Sequence, residues 1–163
     1  MNPRWRLSHA RGYLELGMVK EAAAELAQLP PGYPDDDDLL ALRTVILREQ
    51  ARWPELRVAA AELVRRQPKQ AAGWITYAYA TRRATSLLAA ETILREAELH
   101  HPQEPTIQFN LGCYACQRGD LHEARRRVDA AIALDEDFRA AAAADPDLAP
   151  LRAAAPPASD CPF

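Results

Sequence analysis

Cys113-Tyr114-Ala115-Cys116 is the stretch of this chain closest to a reactive motif. Two thiols at that spacing can supply half of a tetrahedral metal site, or can cycle between dithiol and disulfide. A metal would need a second cysteine pair or two histidines, but Cys161 lies close to the C-terminal end and no histidines stand at ligand spacing. A redox pair would want a helix N-terminus to lower a thiol pKa. This pair follows Phe109-Asn110-Leu111-Gly112, in the middle of an expected helix. The residues read first as small helix residues, with a redox or metal-binding protein using Cys113 and Cys116 as the alternative. His9 falls in a core-facing register, His100-His101 close a helix before Pro102, and His122 opens another. None has a nucleophile and carboxylate at triad spacing, and the six glycines form no phosphate-cradling loop. The expectation is no catalysis and no cofactor or metal.

The charged runs read as structure as well. Arg125-Arg126-Arg127, with Glu123 and Asp129 beside it, reads as a solvated helix face. Asp35 to Asp38 precede an apolar run, so their charge favours a helix N-terminus; a calcium site would need further oxygen ligands at defined spacing. The net charge of −3 and pI near 5.8 give no whole-chain pull toward nucleic acid or an anionic membrane. Met1-Asn2-Pro3-Arg4-Trp5-Arg6 has no apolar run behind its arginines, and no stretch reaches the length of a membrane span. With an odd number of cysteines as well, the expected setting is the reduced cytoplasm. Heavy use of alanine, and of arginine over lysine, suggests a bacterium with a GC-rich genome.

The elements that carry these residues show up as a repeat. Pro34, Pro68 and Pro102 stand 34 residues apart, and the next step lands on Glu136. Between them, small residues recur where two helices must approach closely, at Ala10, Thr44, Ala78 and Gly112. Turns recur at Gly17-Met18, Ala51-Arg52, Thr85-Ser86 and Gly119-Asp120. Two slots in each second half, Ala22/Leu26, Leu56/Ala60, Ala90/Leu94 and Ala124/Val128, are all small or apolar. Apolar residues follow helical spacing, as in Leu39, Leu42 and Ile46 or Ile107, Leu111 and Tyr114. Pro54 and Pro105 suit first helical positions. No run alternates with period two, so the chain is expected to be all-α. Hairpins are expected at about 3–29, 37–67, 71–100 and 105–134, a capping element at 137–152, and a disordered tail at 153–163.

Trp74-x2-Tyr77-Ala78…Ala90-x3-Leu94…Pro102 and Leu111-Gly112-x2-Ala115…Ala124 resemble the tetratricopeptide repeat. The resemblance covers residues 3–136 as four repeats, 3–34, 35–68, 69–102 and 103–136. It departs in the second, where Arg43 and Leu56 stand where the family usually has an apolar and a small residue. It implies a right-handed α-solenoid in which the first helix of each hairpin lines a concave groove holding a partner's peptide. Projecting that register gives Arg4, Leu7, Ser8 and Arg11; Ala41, Val45, Arg48 and Glu49; Ile75, Tyr79, Arg82 and Arg83; and Phe109, Asn110, Cys113, Cys116 and Gln117. Arg4, Arg11, Arg48, Tyr79, Arg82, Arg83, Phe109 and Asn110 are the candidate partner-binding residues. Their arginines suit carboxylates and their rings suit apolar anchors. The resemblance thus implies an interaction module or scaffold for another protein or peptide, with an acidic partner favoured. The alternative within the same class is a chaperone of a bacterial secretion or assembly system. Members that clamp a C-terminal carboxylate use a Lys and Asn set in the groove; only Asn110 is similar, so that function is not carried over.

Overall fold

The computed structural model describes residues 3–154, and among these it holds helices and turns but no strand. Eight helices come first: α1 Pro3–Glu15, α2 Val19–Ala27, α3 Asp37–Glu49, α4 Trp53–Arg66, α5 Ala71–Ala84, α6 Leu87–His100, α7 Pro105–Gln117 and α8 Leu121–Leu134. A shorter α9, Phe138–Ala144, leads through a 3-10 turn, Pro146–Leu148, into α10, Ala149–Ala153. The chain divides into two compact units, one ending at Ala90 and the other beginning at Glu91.

In the first unit, α1 packs on α2, α3 on α4, and α4 on α5. Leu7, Leu39 and Leu42 form one cluster with Leu14, Leu26, Leu29 and Tyr33 around them. Ala10, Ala22 and Ile46 form another, and Leu56 is fully buried although the slot usually takes a small residue. Trp74 is buried and donates its indole N–H to the carbonyl of Pro68 at 2.9 Å, so a proline of the ruler also anchors the next helix. The acidic run caps α3. The Asp36 carboxylate accepts the Leu39 N–H at 2.9 Å, and Asp37 and Asp38 lie in the first turn. Asp35 pairs with Arg43 at 2.5 Å and with Arg66 at 3.3 Å, which ties the loop to the end of α4 and gives Arg43 a partner. His9 does not enter the core. Its side chain is half exposed, 3.9 Å from Glu25, because Leu7 and Ala10 take the buried positions on either side.

Three turns between paired helices close alike. The N–H groups of Met18, Arg52 and Asp120 reach back to the carbonyls of Tyr13, Leu47 and Ala115 at 2.8, 2.9 and 3.0 Å. This six-to-one bond needs a left-handed residue just before the donor. Gly17 and Gly119 supply it at φ 72° and 84°, but the second hairpin uses Ala51 at φ 54°. An L side chain in that conformation costs about 1 kcal/mol. Ala51→Gly is therefore expected to raise stability by up to about 1 kcal/mol, a few degrees in melting temperature by thermal circular dichroism. An unchanged or lower melting temperature would show that the turn holds no such strain.

In the second unit α7 packs on α8, with Ile107, Leu111, Tyr114, Ala115, Ala124, Val128 and Ala131 buried. α9 stops at Asp145, which is extended as a residue before proline prefers. The chain then folds back and buries Leu148 and Leu151. Within the basic run the solvated-face expectation holds for Arg125 and Arg126 but fails for Arg127. That side chain is only 7% exposed and is enclosed by carboxylates. Its guanidinium donates to Glu98, to Glu123 at 2.7 Å and to the Gln108 oxygen at 2.7 Å, while Gln108 donates to Glu98 at 2.8 Å. Desolvation raises the Glu123 carboxyl, but hydrogen bonds from Arg127 and Arg126 outweigh it and hold the group at about 2. Glu98 is also lowered: desolvation pushes it up, and the bonds from Arg127 and Gln108 more than reverse that.

Candidate protein-binding site

The first unit gathers part of the expected groove. Ala41, Val45 and Arg48 of α3 share a recess of about 350 Å³ with Ala72, Gly73 and Thr76 of α5. Helical spacing, not sequence proximity, brings these two rows together. Tyr79 follows Thr76 by one turn of α5 and is 42% exposed. Its ring meets Trp53 edge-on, with centroids 5.5 Å apart at 82°. The Arg83 guanidinium lies over the Trp53 ring, 4.9 Å from its centroid. A stacked guanidinium gives up little freedom when it pairs with a carboxylate, and the tilted rings offer an apolar edge. Arg82, beside this cluster, is half-buried. Arg48 reaches its neighbour Glu49 at 3.3 Å and stays half exposed.

Trp53 is the residue the sequence did not single out. It opens α4 from a turn, outside the first-helix register, and only its packing on Tyr79 and Arg83 brings it to the cluster. At the other end of the unit, Arg4 and Arg11 line a separate recess of about 410 Å³ with Ser8, Tyr33, Asp36 and Asp38. Arg11 stands 3.7 Å from Asp38, so this recess is mixed in charge. Leu7, projected to the groove, belongs to the core.

In the second unit the expectation for Phe109 fails. Its side chain is 7% exposed, with its ring 5.0 Å from that of Phe138 on α9. The face of α7 that the register assigns to a partner is covered by the chain's own C-terminal segment. Gln117 donates to the Asp147 carbonyl at 2.8 Å, and the buried Cys113 thiol lies 3.9 Å from the Asp145 carboxylate. Cys116 is buried as well, and Asn110 is half-buried. Among the described residues, no three His, Cys, Asp or Glu side chains gather as metal donors. Cys161 and most of the expected tail lie outside the described residues.

No family model matches this sequence, and no curated protein does. The structure, however, is similar to the crystal structure of a thermophilic TPR protein from Thermus thermophilus. The TM-score is 0.68 at 18% sequence identity, over 86% of this chain and 79% of that one. The chain has the tetratricopeptide-repeat fold. The recess and the exposed ring of Tyr79 are carried by α3 and α5. No helix among the described residues is long and apolar enough to cross a membrane.

Proposed function

We propose that this chain is a protein-binding module. Its second and third hairpins hold a partner segment along α3 and α5, with an acidic side chain on Arg83 and an apolar one on Tyr79 and Trp53. The observation that carries the reading is the stacked Trp53–Tyr79–Arg83 cluster, because exposed aromatic rings and an ordered arginine are the side chains that dominate protein interfaces. Arg48, on the neighbouring first helix, adds a second positive group. The fold supports the reading, since its paired helices present open faces that a partner segment can lie along.

The test is a titration of an affinity-captured partner against the parent, the Arg82→Ala/Arg83→Ala variant and an Arg126→Ala control, at low and high salt. The double variant is expected to bind roughly ten-fold or more weakly, with only the small loss of melting temperature that follows from removing the Arg83–Trp53 stack. Binding by the parent is expected to weaken with salt, since exposed charge pairs are screened beyond about 8 Å at physiological ionic strength. Equal affinity for all three proteins would refute the site.

A further inference from the structure

We propose that the α8 face beside the C-terminal segment is a second docking surface, for a partner-protein segment that presents a carboxylate next to a branched aliphatic side chain. Helical spacing puts Arg125, Val128, Asp129 and Ile132 on one face of α8. A longer helix after α8 would cover that face. Instead α9 ends after seven residues and the chain turns at Asp145-Pro146, so that Leu148 and Leu151 are drawn inward. What remains is an open recess of about 330 Å³ with Ile132, Ala142 and Ala143 accessible along it and the largely buried Val128, Leu148 and Leu151 beneath them as its apolar floor. A second recess of about 410 Å³, toward Leu121 and His122, shares Arg125, Asp129 and Leu151 with it.

The charge around this floor fits an acidic occupant. Arg126 is committed to Glu123 and Arg139 to Glu136, each at 2.5 Å. Arg125 and Arg152 have no carboxylate partner among the described residues. Arg152 donates to the carbonyls of Ala142 and Asp145 at 2.8 Å each, and Arg125 reaches the Leu151 carbonyl at 3.4 Å. Both guanidinium groups are thereby oriented at the rim while keeping N–H donors for a carboxylate. Asp129 is the acid lining the recess, which together with the apolar floor disfavours a polyphosphate. Two oriented arginines over an aliphatic floor call for a glutamate or aspartate beside a leucine-like side chain, and an open recess suits a segment that covers it.

The experiment is a nuclear magnetic resonance titration of the full chain with acetyl-Glu-Leu-Leu-Glu-amide. Its controls replace both glutamates by glutamine, or both leucines by alanine. Saturable shifts are expected at Ile132, Leu151 and the Arg125 and Arg152 side chains, with each control at least ten-fold weaker. The Arg125→Gln/Arg152→Gln variant should lose the response, with a lower melting temperature because it also loses the Arg152 bonds to Ala142 and Asp145. Arg125→Gln alone, which leaves the Arg152 bonds between α9 and α10 in place, should weaken it several-fold. No shifts, equal shifts with the glutamine peptide, or shifts confined to Trp53 and Tyr79 would overturn the proposal. So would a parent that dimerises in sedimentation and becomes monomeric in the double variant, since the occupant would then be a second copy.

Discussion

Arg127→Ala is expected to destabilise the protein by about 3 kcal/mol at neutral pH, although the residue sits in what reads as a surface run of three arginines. Removing one member of a buried ion pair costs about 3–5 kcal/mol, because the remaining charge has lost both water and partner. Glu98 and Glu123 keep 26% and 18% side-chain exposure, which places the effect at the lower end of that range. Gln108 loses its acceptor contact as well, since its oxygen takes an N–H from the same guanidinium. The neighbouring Arg126→Ala should cost little, because that side chain is 59% exposed and pairs with Glu123 across one turn.

The loss should also depend on pH, in a direction set by the carboxylates. Glu123 titrates at about 2 in the folded chain against an ordinary 4.5, so its contribution is complete above about 4.5 and fades as pH falls toward 2. Glu98 is shifted in the same direction. In the variant Glu123 keeps Arg126 and Glu98 keeps the Gln108 amide, but both have lost the Arg127 bonds, so protonation costs them less than in the parent, where it also removes the Arg127 pairs. The stability gap between parent and variant should therefore narrow from pH 7 to pH 3, measured by urea denaturation at each pH. A gap that stays constant would mean that lost packing of the arginine stem, not charge, accounts for the effect.

The contrast between Arg126 and Arg127 shows where the sequence could be read and where it could not. The helices were legible because their signals are local or periodic. Prolines recur every 34 residues, small residues stand at Ala10, Ala78 and Gly112, and Asp36 caps from its own turn. The face on which a side chain ends up depends on partners distant in the chain. Arg127 is buried because Glu98 and Gln108 converge on it from two other helices. Phe109 is covered because a seven-residue helix after α8 lays Phe138 against it. Trp53 belongs to the candidate site through contacts with α5 that no repeat register contains. Arg48 and Tyr79 were legible, since a first-helix register is enough to expose them. The recess beside α10 was not, because it follows from where the chain turns at Asp145-Pro146.

Gly112→Leu is expected to cost about 3 kcal/mol or more, the upper part of the range for overpacking a core. A β-carbon at this position would already stand 2.9 Å from a methyl of Val128, 3.2 Å from the Arg127 β-carbon and 3.3 Å from the Ala124 carbonyl oxygen. The last two contacts are backbone or close to it and cannot rotate away, so α8 itself must move. Gly112→Ala should therefore destabilise by about 1 kcal/mol, despite the roughly 1 kcal/mol that alanine ordinarily gains over glycine inside a helix. Gly12, in the interior of α1, has nothing within 4 Å of the same β-carbon, so Gly12→Ala should stabilise and serves as the control of opposite sign. Displacing α8 also pulls Arg127 away from Glu98 and Gln108, because its β-carbon is one of the atoms met. The Gly112→Leu/Arg127→Ala double variant should then lose less than the two single losses added, by more than the roughly 0.5 kcal/mol expected of independent sites. Thermal and urea melts of the four proteins close this cycle. Strict additivity would show that the close approach of α7 and α8 is not what holds Arg127 in its network.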